Sequence, residues 1–243
     1  MPDTPAPLPQ ATLDDGQRLA CLRLARSDNV GPVTFRELIN LYGGAAQALE
    51  ALPELARRGG RRAIRICSRD AADRELAAAH RCGARSVFTI EPGYPALLAH
   101  VDVPPPLLYV QGRIELLSQP SVAIVGSRNA SAVGMKLTRS MARELGQSGY
   151  VVVSGLARGI DAAAHLAALE TGTTAALAGG IDIVYPPEHA DLQARMGVEG
   201  CLVTEMPPGF QPRAQDFPRR KIASSPAWRT LSSSWRPRDA PAR

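Results

Sequence analysis

The sequence predicts an α/β chain in which a small helical domain precedes a doubly wound parallel sheet, and three observations carry that prediction. From Pro120 onward, short apolar runs alternate with stretches of helical spacing. Those runs are continuous, as strands covered on both faces must be, where a half-exposed strand would alternate apolar with polar residues. Glycine-containing loops follow the runs, at the edge where sheets of this class present their ligand sites.

Taken in order, residues 1–12 hold four prolines and are expected to form a disordered leader. Leu19, Leu22 and Leu24, then Val33, Leu38, Ile39 and Leu41, then Leu49, Leu52 and Leu55 recur at helical spacing. Val30-Gly31-Pro32 and Gly43-Gly44 interrupt them, so residues 13–85 read as a bundle of short helices of SAM or helix-hairpin-helix type. The Gly-Pro break admits a plain inter-helix turn, the favoured reading, and a phosphate-facing hairpin. A helix over Asp70–Arg81 and an apolar run over Ser86–Ile90 follow. Residues 86–120 are then a connecting strand and proline-rich linker, with Leu107–Val110 as a short strand entering the second unit. Beyond it the pattern predicts strands at Ser121–Val125, Tyr150–Val153, Thr174–Ala178 and Gly200–Thr204. Helices are predicted at Ser131–Ser148, Asp161–Glu170 and Glu188–Met196. This is the Rossmann-like arrangement.

Composition excludes several classes. With 45% hydrophobic and 21% charged residues in 243, the chain has ordinary globular usage, and no apolar run reaches the roughly 20 residues of a membrane span. The start shows no signal-peptide pattern, so a cytoplasmic protein is expected. The cysteines at 21, 67, 82 and 201 lack zinc or redox spacing and read as buried thiols. The net charge of +5 is a property of the end of the chain. Residues 211–243 carry eight basic and two acidic residues, and the remainder is close to neutral. One internal cluster, nine arginines between Arg57 and Arg85, reads first as solvated helix faces and second as a phosphate contact.

Three loops at strand ends carry the chemical signal. Gly126-Ser127-Arg128 runs into a helix capped by Ser131. Glycine permits close approach, the helix start offers amides, and Arg128 supplies a planar fork suited to phosphate. A tight turn with a solvated arginine fits this loop equally well. Ser154–Asp161 repeats the logic with Gly155, Arg158 and Gly159. Asp161 is placed to cap the next helix and His165 lies one turn on, which reads as a cap plus a structural histidine ahead of an acid–imidazole pair. The third loop is Ala178-Gly179-Gly180-Ile181-Asp182, followed by Tyr185-Pro186-Pro187. There is no G-x-G-x-x-G after a strand, no phosphate-loop motif, no H-E-x-x-H and no nucleophile elbow.

Together these loops, with Thr204-Glu205, Pro207-Pro208-Gly209 and Phe217-Pro218-Arg219-Arg220, resemble the DNA-processing protein A (DprA/Smf) family in order and spacing over about 120–220. Asn29–Leu38 and Glu91–Pro95 are similar to its amino-terminal domain. The resemblance implies a protein that is not an enzyme and uses no cofactor or metal. It implies ATP-independent binding and protection of single-stranded DNA during natural transformation, with help in loading a RecA-type recombinase. It places Gly126, Ser127 and Arg128 in the DNA pocket, with Phe217 and Arg219 as stacking and basic partners and Arg158 and Arg220 as assisting charges. Residues 121–223 are then the DNA-binding domain. The alternative is a nucleotide-binding enzyme of phosphoribohydrolase type, with Asp161 or Glu205 as its carboxylate.

The chain departs from the family pattern after Arg220. Residues 224–243 hold five Ser, four Arg, three Pro and both tryptophans, a composition unsuited to a sheet strand. Arginine outnumbers lysine 26 to 2, as a GC-rich gene produces, and a shifted reading frame near Lys221 accounts for such a tail. The expectation is a chain lacking the carboxyl-terminal part of its sheet and the family's homodimer surface.

Overall fold

The computed structural model describes residues 12–58 and 64–212. The leader up to residue 11, Arg61 and Arg62, and everything from residue 213, including Phe217, Arg219, Arg220 and the 224–243 tail, lie outside the described residues. The chain forms two compact units, the first ending at Tyr109 and the second starting at Val110.

In the first unit the apolar spacing becomes four helices: α1 (Asp15–Ala25), α2 (Pro32–Tyr42), α3 (Ala45–Arg58) and α4 (Arg69–Arg81). Their ends are chemically marked. The Asp14 carboxylate accepts from Gln17 N at 2.8 Å while Asp14 N donates to Gln17 Oε1 at 2.9 Å, a reciprocal cap on α1. Gly31-Pro32 opens α2, with Pro32 in the first turn, where its missing N–H costs nothing. Leu22, Leu24, Phe35, Ile39, Ala48 and Leu52 form the core. Strand β1 (Arg85–Phe88), the short α5 (Ala96–Ala99) and the first half of β2 (Leu107–Gly112) complete the unit, with β1 beside β2.

Four of the arginines in the basic stretch form ion pairs. Arg57 and Arg58 pair with Glu54, Arg65 with Asp28 and Arg69 with Asp73, all exposed. Glu75 instead turns inward. It accepts from Arg26 Nη2 at 2.8 Å and from the Tyr109 hydroxyl, tying α1, α4 and β2 together. Burial, reinforced by the Glu75 charge, raises the Tyr109 hydroxyl far above the ordinary phenol range.

The cysteines split into two kinds, which corrects their reading as uniformly buried. Cys21 and Cys201 are buried, whereas Cys67 and Cys82 are half-buried, because a helix end and a loop leave them partly open. Burial pushes the Cys21 and Cys201 thiols up to about 12. With Ellman's reagent at pH 8 the native protein is expected to release two equivalents of thiolate, from Cys67 and Cys82, and four after denaturation. Rapid release of four from the native protein would contradict this burial.

In the second unit the sheet order is β2-β6-β5-β4-β3, with β3 (Ser121–Ala123), β4 (Val151–Ser154), β5 (Thr173–Ala176) and β6 (Cys201–Thr204). The last four are mutually parallel, in the register Ser121 opposite Val151, Val152 opposite Thr173 and Thr174 opposite Cys201. Every residue of β4, β5 and β6 is buried, as the continuous apolar runs required. Helices α6 (Ala132–Gln147), α7 (Ile160–Ala168) and α8 (Ala190–Glu199) connect them. Ala142, Leu145, Val152, Ala164 and Ala168 form one core cluster binding α6 and α7 to β4. Strand β3 is shorter than expected. Its run ends at Ala123, and Val125, predicted as strand, is 66% exposed in the departing loop. No helix among the described residues is long and apolar enough to cross a membrane.

Candidate functional site

Two of the three predicted loops meet at the carboxyl edge of β3 and β4. Ile160 N donates to Ser127 O at 3.2 Å, so the start of α7 is hydrogen-bonded to the first loop. Glycine makes the approach possible from both sides. A Cβ on Gly126 would lie 2.6 Å from Ile160 Cγ1, and one on Gly159 would fall on the Ser127 carbonyl oxygen and 2.7 Å from that of Arg128. Ser154 Oγ adds a bond to Ile124 O at 2.6 Å. The side chain of Ser131 caps α6 by accepting from Gly134 N at 3.1 Å.

A cavity of about 130 Å³ opens where the loops meet. Arg128, Gly155, Ala157, Arg158, Tyr185, Pro186 and Pro187 line it. Of the residues predicted for the site, Arg128 and Arg158 thus share one hollow, and Gly126 and Ser127 build the turn that delivers Arg128. Ser127 Oγ accepts from Asn129 N at 3.1 Å and shapes that turn. Arg158 pairs with Glu188, the residue after the lining residue Pro187.

Asp161 has a different job from the expected helix cap. The N-cap of α7 is Gly159, whose φ of 72° and ψ of −117° start the helix at Ile160, ahead of Asp161. The buried Asp161 carboxylate reaches back and accepts from Gly155 N at 3.1 Å and Ala157 N at 3.3 Å. It therefore occupies two amides of the second loop and holds that loop in shape. Leu156 between them sits at a φ of 55°, buried, and its carbonyl accepts from His189 Nδ1 at 3.0 Å. His165 is fully buried with Nδ1 2.7 Å from Thr173 Oγ1. Thr173 donates its own proton to Val152 O at 2.7 Å, so Nδ1–H is the donor to Thr173. His165 is thus tied to β5 through Thr173.

The third loop packs elsewhere than expected. Gly180 N donates to Phe210 O at 2.8 Å, and the Asp182 carboxylate accepts from Gly209 N at 2.8 Å. Thr204 Oγ1 donates to Gly179 O at 2.9 Å. These bonds bind the 207–212 segment to the ends of β5 and β6, and the paired glycines make room for that backbone. The contribution of this region to the cavity comes from Tyr185-Pro186-Pro187, noted in sequence but not assigned to the site. Its signal was an aromatic–proline turn closely following a strand. The lining presents two guanidinium groups, a phenol ring 42% exposed and proline faces, a surface suited to an anion with a flat apolar neighbour.

Comparison with known proteins gives a consistent result. The pattern of the family described as DNA recombination-mediator protein A matches residues 85–226, and that of the DprA-like N-terminal HHH domain matches residues 15–78. The chain is 41% identical over 129 residues to DNA processing protein DprA of Streptococcus pneumoniae, covering 52% of this chain and 45% of that protein. It is 40% identical over 136 residues to Protein Smf of Synechocystis, covering 54% and 34%. The X-ray structure of the S. pneumoniae protein superposes with a TM-score of 0.58 at 28% identity, covering 85% of this chain and 68% of that one. The matched stretch spans between a third and a half of the length of these two curated relatives.

Proposed function

Since the chain belongs to the DNA recombination-mediator protein A family, we propose that it binds single-stranded DNA without ATP and without making or breaking a bond. It holds the strand at the cavity shared by Arg128 and Arg158, and serves transformation by protecting the strand and handing it to a RecA-type recombinase. The observation that carries this reading is the convergence of the 126–128 and 154–161 loops on one small hollow bearing two guanidinium groups. Phosphates are held by charge-assisted bonds from the arginines, and a base finds a sequence-tolerant platform on Tyr185. Phe217, Arg219 and Arg220, outside the described residues, are proposed as further strand contacts on the family resemblance alone. Homodimerisation and recombinase contact belong to the family resemblance and are proposed on that ground alone.

The enzymatic alternative requires a carboxylate poised at a sugar. Asp161 is instead buried, with Oδ2 accepting from both Gly155 N and Ala157 N, which favours the binding reading. Competition separates the two. A fluorescein-labelled oligo-dT should bind and be displaced by unlabelled single strands at far lower concentration than by duplex or by nucleoside monophosphates, with no monophosphate turnover. Turnover lost in Asp161→Asn would reject the proposal.

A further inference from the structure

Arg158, which lines the cavity, is paired with a carboxylate, that of Glu188, the residue after the lining residue Pro187. Arg158 Nε donates to Glu188 Oε1, with Arg158 on the loop before α7 and Glu188 on the single 3₁₀ turn Pro187–His189 that precedes α8. A second bond ties the same two segments together, from His189 Nδ1 to Leu156 O at 3.0 Å. An exposed ion pair ordinarily gains little, because two long side chains must be ordered to form it. Here the bond from the His189 side chain to the Leu156 carbonyl already links the two segments, so less ordering remains. The bond from Arg158 holds the Glu188 carboxyl below its ordinary range, and the pair stays ionised at neutral pH.

A carboxylate on a guanidinium fork offers the same two-oxygen, negatively charged acceptor as a phosphodiester. We propose that Glu188 is a built-in stand-in for the nucleic-acid phosphate: it holds Arg158 at the cavity rim in the unliganded protein and must be displaced when a strand enters. Glu188 thereby lowers affinity and speeds release, a useful property for a protein that passes its strand to another. This inference rests on the proposed reading of the cavity as a phosphate site.

The test compares oligo-dT affinity and dissociation rate for wild type, Glu188→Gln, Arg158→Ala, the double variant, Arg128→Ala and Glu199→Gln. Glu199 pairs with Arg195 at 3.0 and 3.1 Å at the far end of α8 and not with Arg158, so it controls for the general effect of removing an exposed negative charge. Glu188→Gln should tighten binding three- to ten-fold, mainly through slower dissociation. Glu199→Gln should change nothing, and adding Glu188→Gln to Arg158→Ala should have no further effect. If Arg128→Ala weakens binding while Glu188→Gln leaves it unchanged, or if Glu188→Gln acts equally in the Arg158→Ala background, the stand-in role is wrong and the cavity reading survives. If Arg128→Ala and wild type bind alike, the cavity reading fails and this inference falls with it.

Discussion

Arg128→Ala is expected to weaken binding of an oligo-dT strand about ten-fold at near-physiological salt, a loss of about 1.4 kcal/mol. That is at the low end of what a charge-assisted hydrogen bond contributes. The effect should carry a second signature. Each phosphate neutralised on a single strand adds about 0.7 to the slope of log affinity against log salt, so the variant should lose roughly that much of the slope. Arg128 is singled out because the turn that delivers it is locked: Gly126 sits against Ile160, Ser127 O accepts from Ile160 N, and Ser127 Oγ accepts from Asn129 N. A guanidinium held on such a turn enters binding with part of its ordering already done. An unchanged slope together with unchanged affinity would place the strand elsewhere on the protein.

Gly159→Ala should be the most destabilising single substitution at the site, lowering stability by about 2–4 kcal/mol and the melting temperature by about 5–15 °C. Two costs combine. The backbone at φ 72° and ψ −117° is a conformation that residues with a Cβ rarely adopt, and the added methyl would meet the carbonyl oxygens of Ser127 and Arg128, which are backbone and cannot swing aside. Gly149→Ala separates the contributions, since Gly149 has a φ of 84° but nothing within 4 Å of its missing Cβ. It should lose only about 1 kcal/mol. Urea unfolding of the two variants measures the difference, and equal losses would show that close approach of the loops contributes nothing. Because the alanine forces the loops apart, Gly159→Ala should also weaken strand binding at temperatures where it remains folded.

Much of this was legible from residue order. The predicted helix over 70–81 is α4 within one residue, and the runs at Tyr150–Val153, Thr174–Ala178 and Gly200–Thr204 became β4, β5 and β6 with shifts of one or two residues. Apolar periodicity is a local property, so it survives without knowledge of the rest of the chain. The sequence reads Gly126 as admitting an anion, whereas Ile160 fills the space beside it and the Ser127 and Arg128 carbonyls fill the space beside Gly159. Which partner each glycine approaches was not readable, because Gly126 and Ile160 are separated by a full strand and helix. Asp161 illustrates the same limit. Its position near the start of a helix suggested a cap, yet the amides that bond its Oδ2 lie before that helix and are brought there by a loop with Leu156 in a left-handed conformation. Tyr185 joined the cavity for a comparable reason, being carried to Arg128 by the folding of three strands side by side.

The amino-acid order by itself determined the succession of strands and helices, the places where the chain must bend, and the residue types available at the sheet's carboxyl edge. Steric propensity and hydrophobic spacing act between neighbours a few positions apart. Only the tertiary structure decided that the 126–128 and 154–161 loops share one hollow, that the glycines at 179 and 180 serve the 207–212 segment instead, and that Glu188 pairs with Arg158. Those outcomes depend on distances across the sheet, which parallel pairing of β3, β4 and β5 sets and no local pattern encodes.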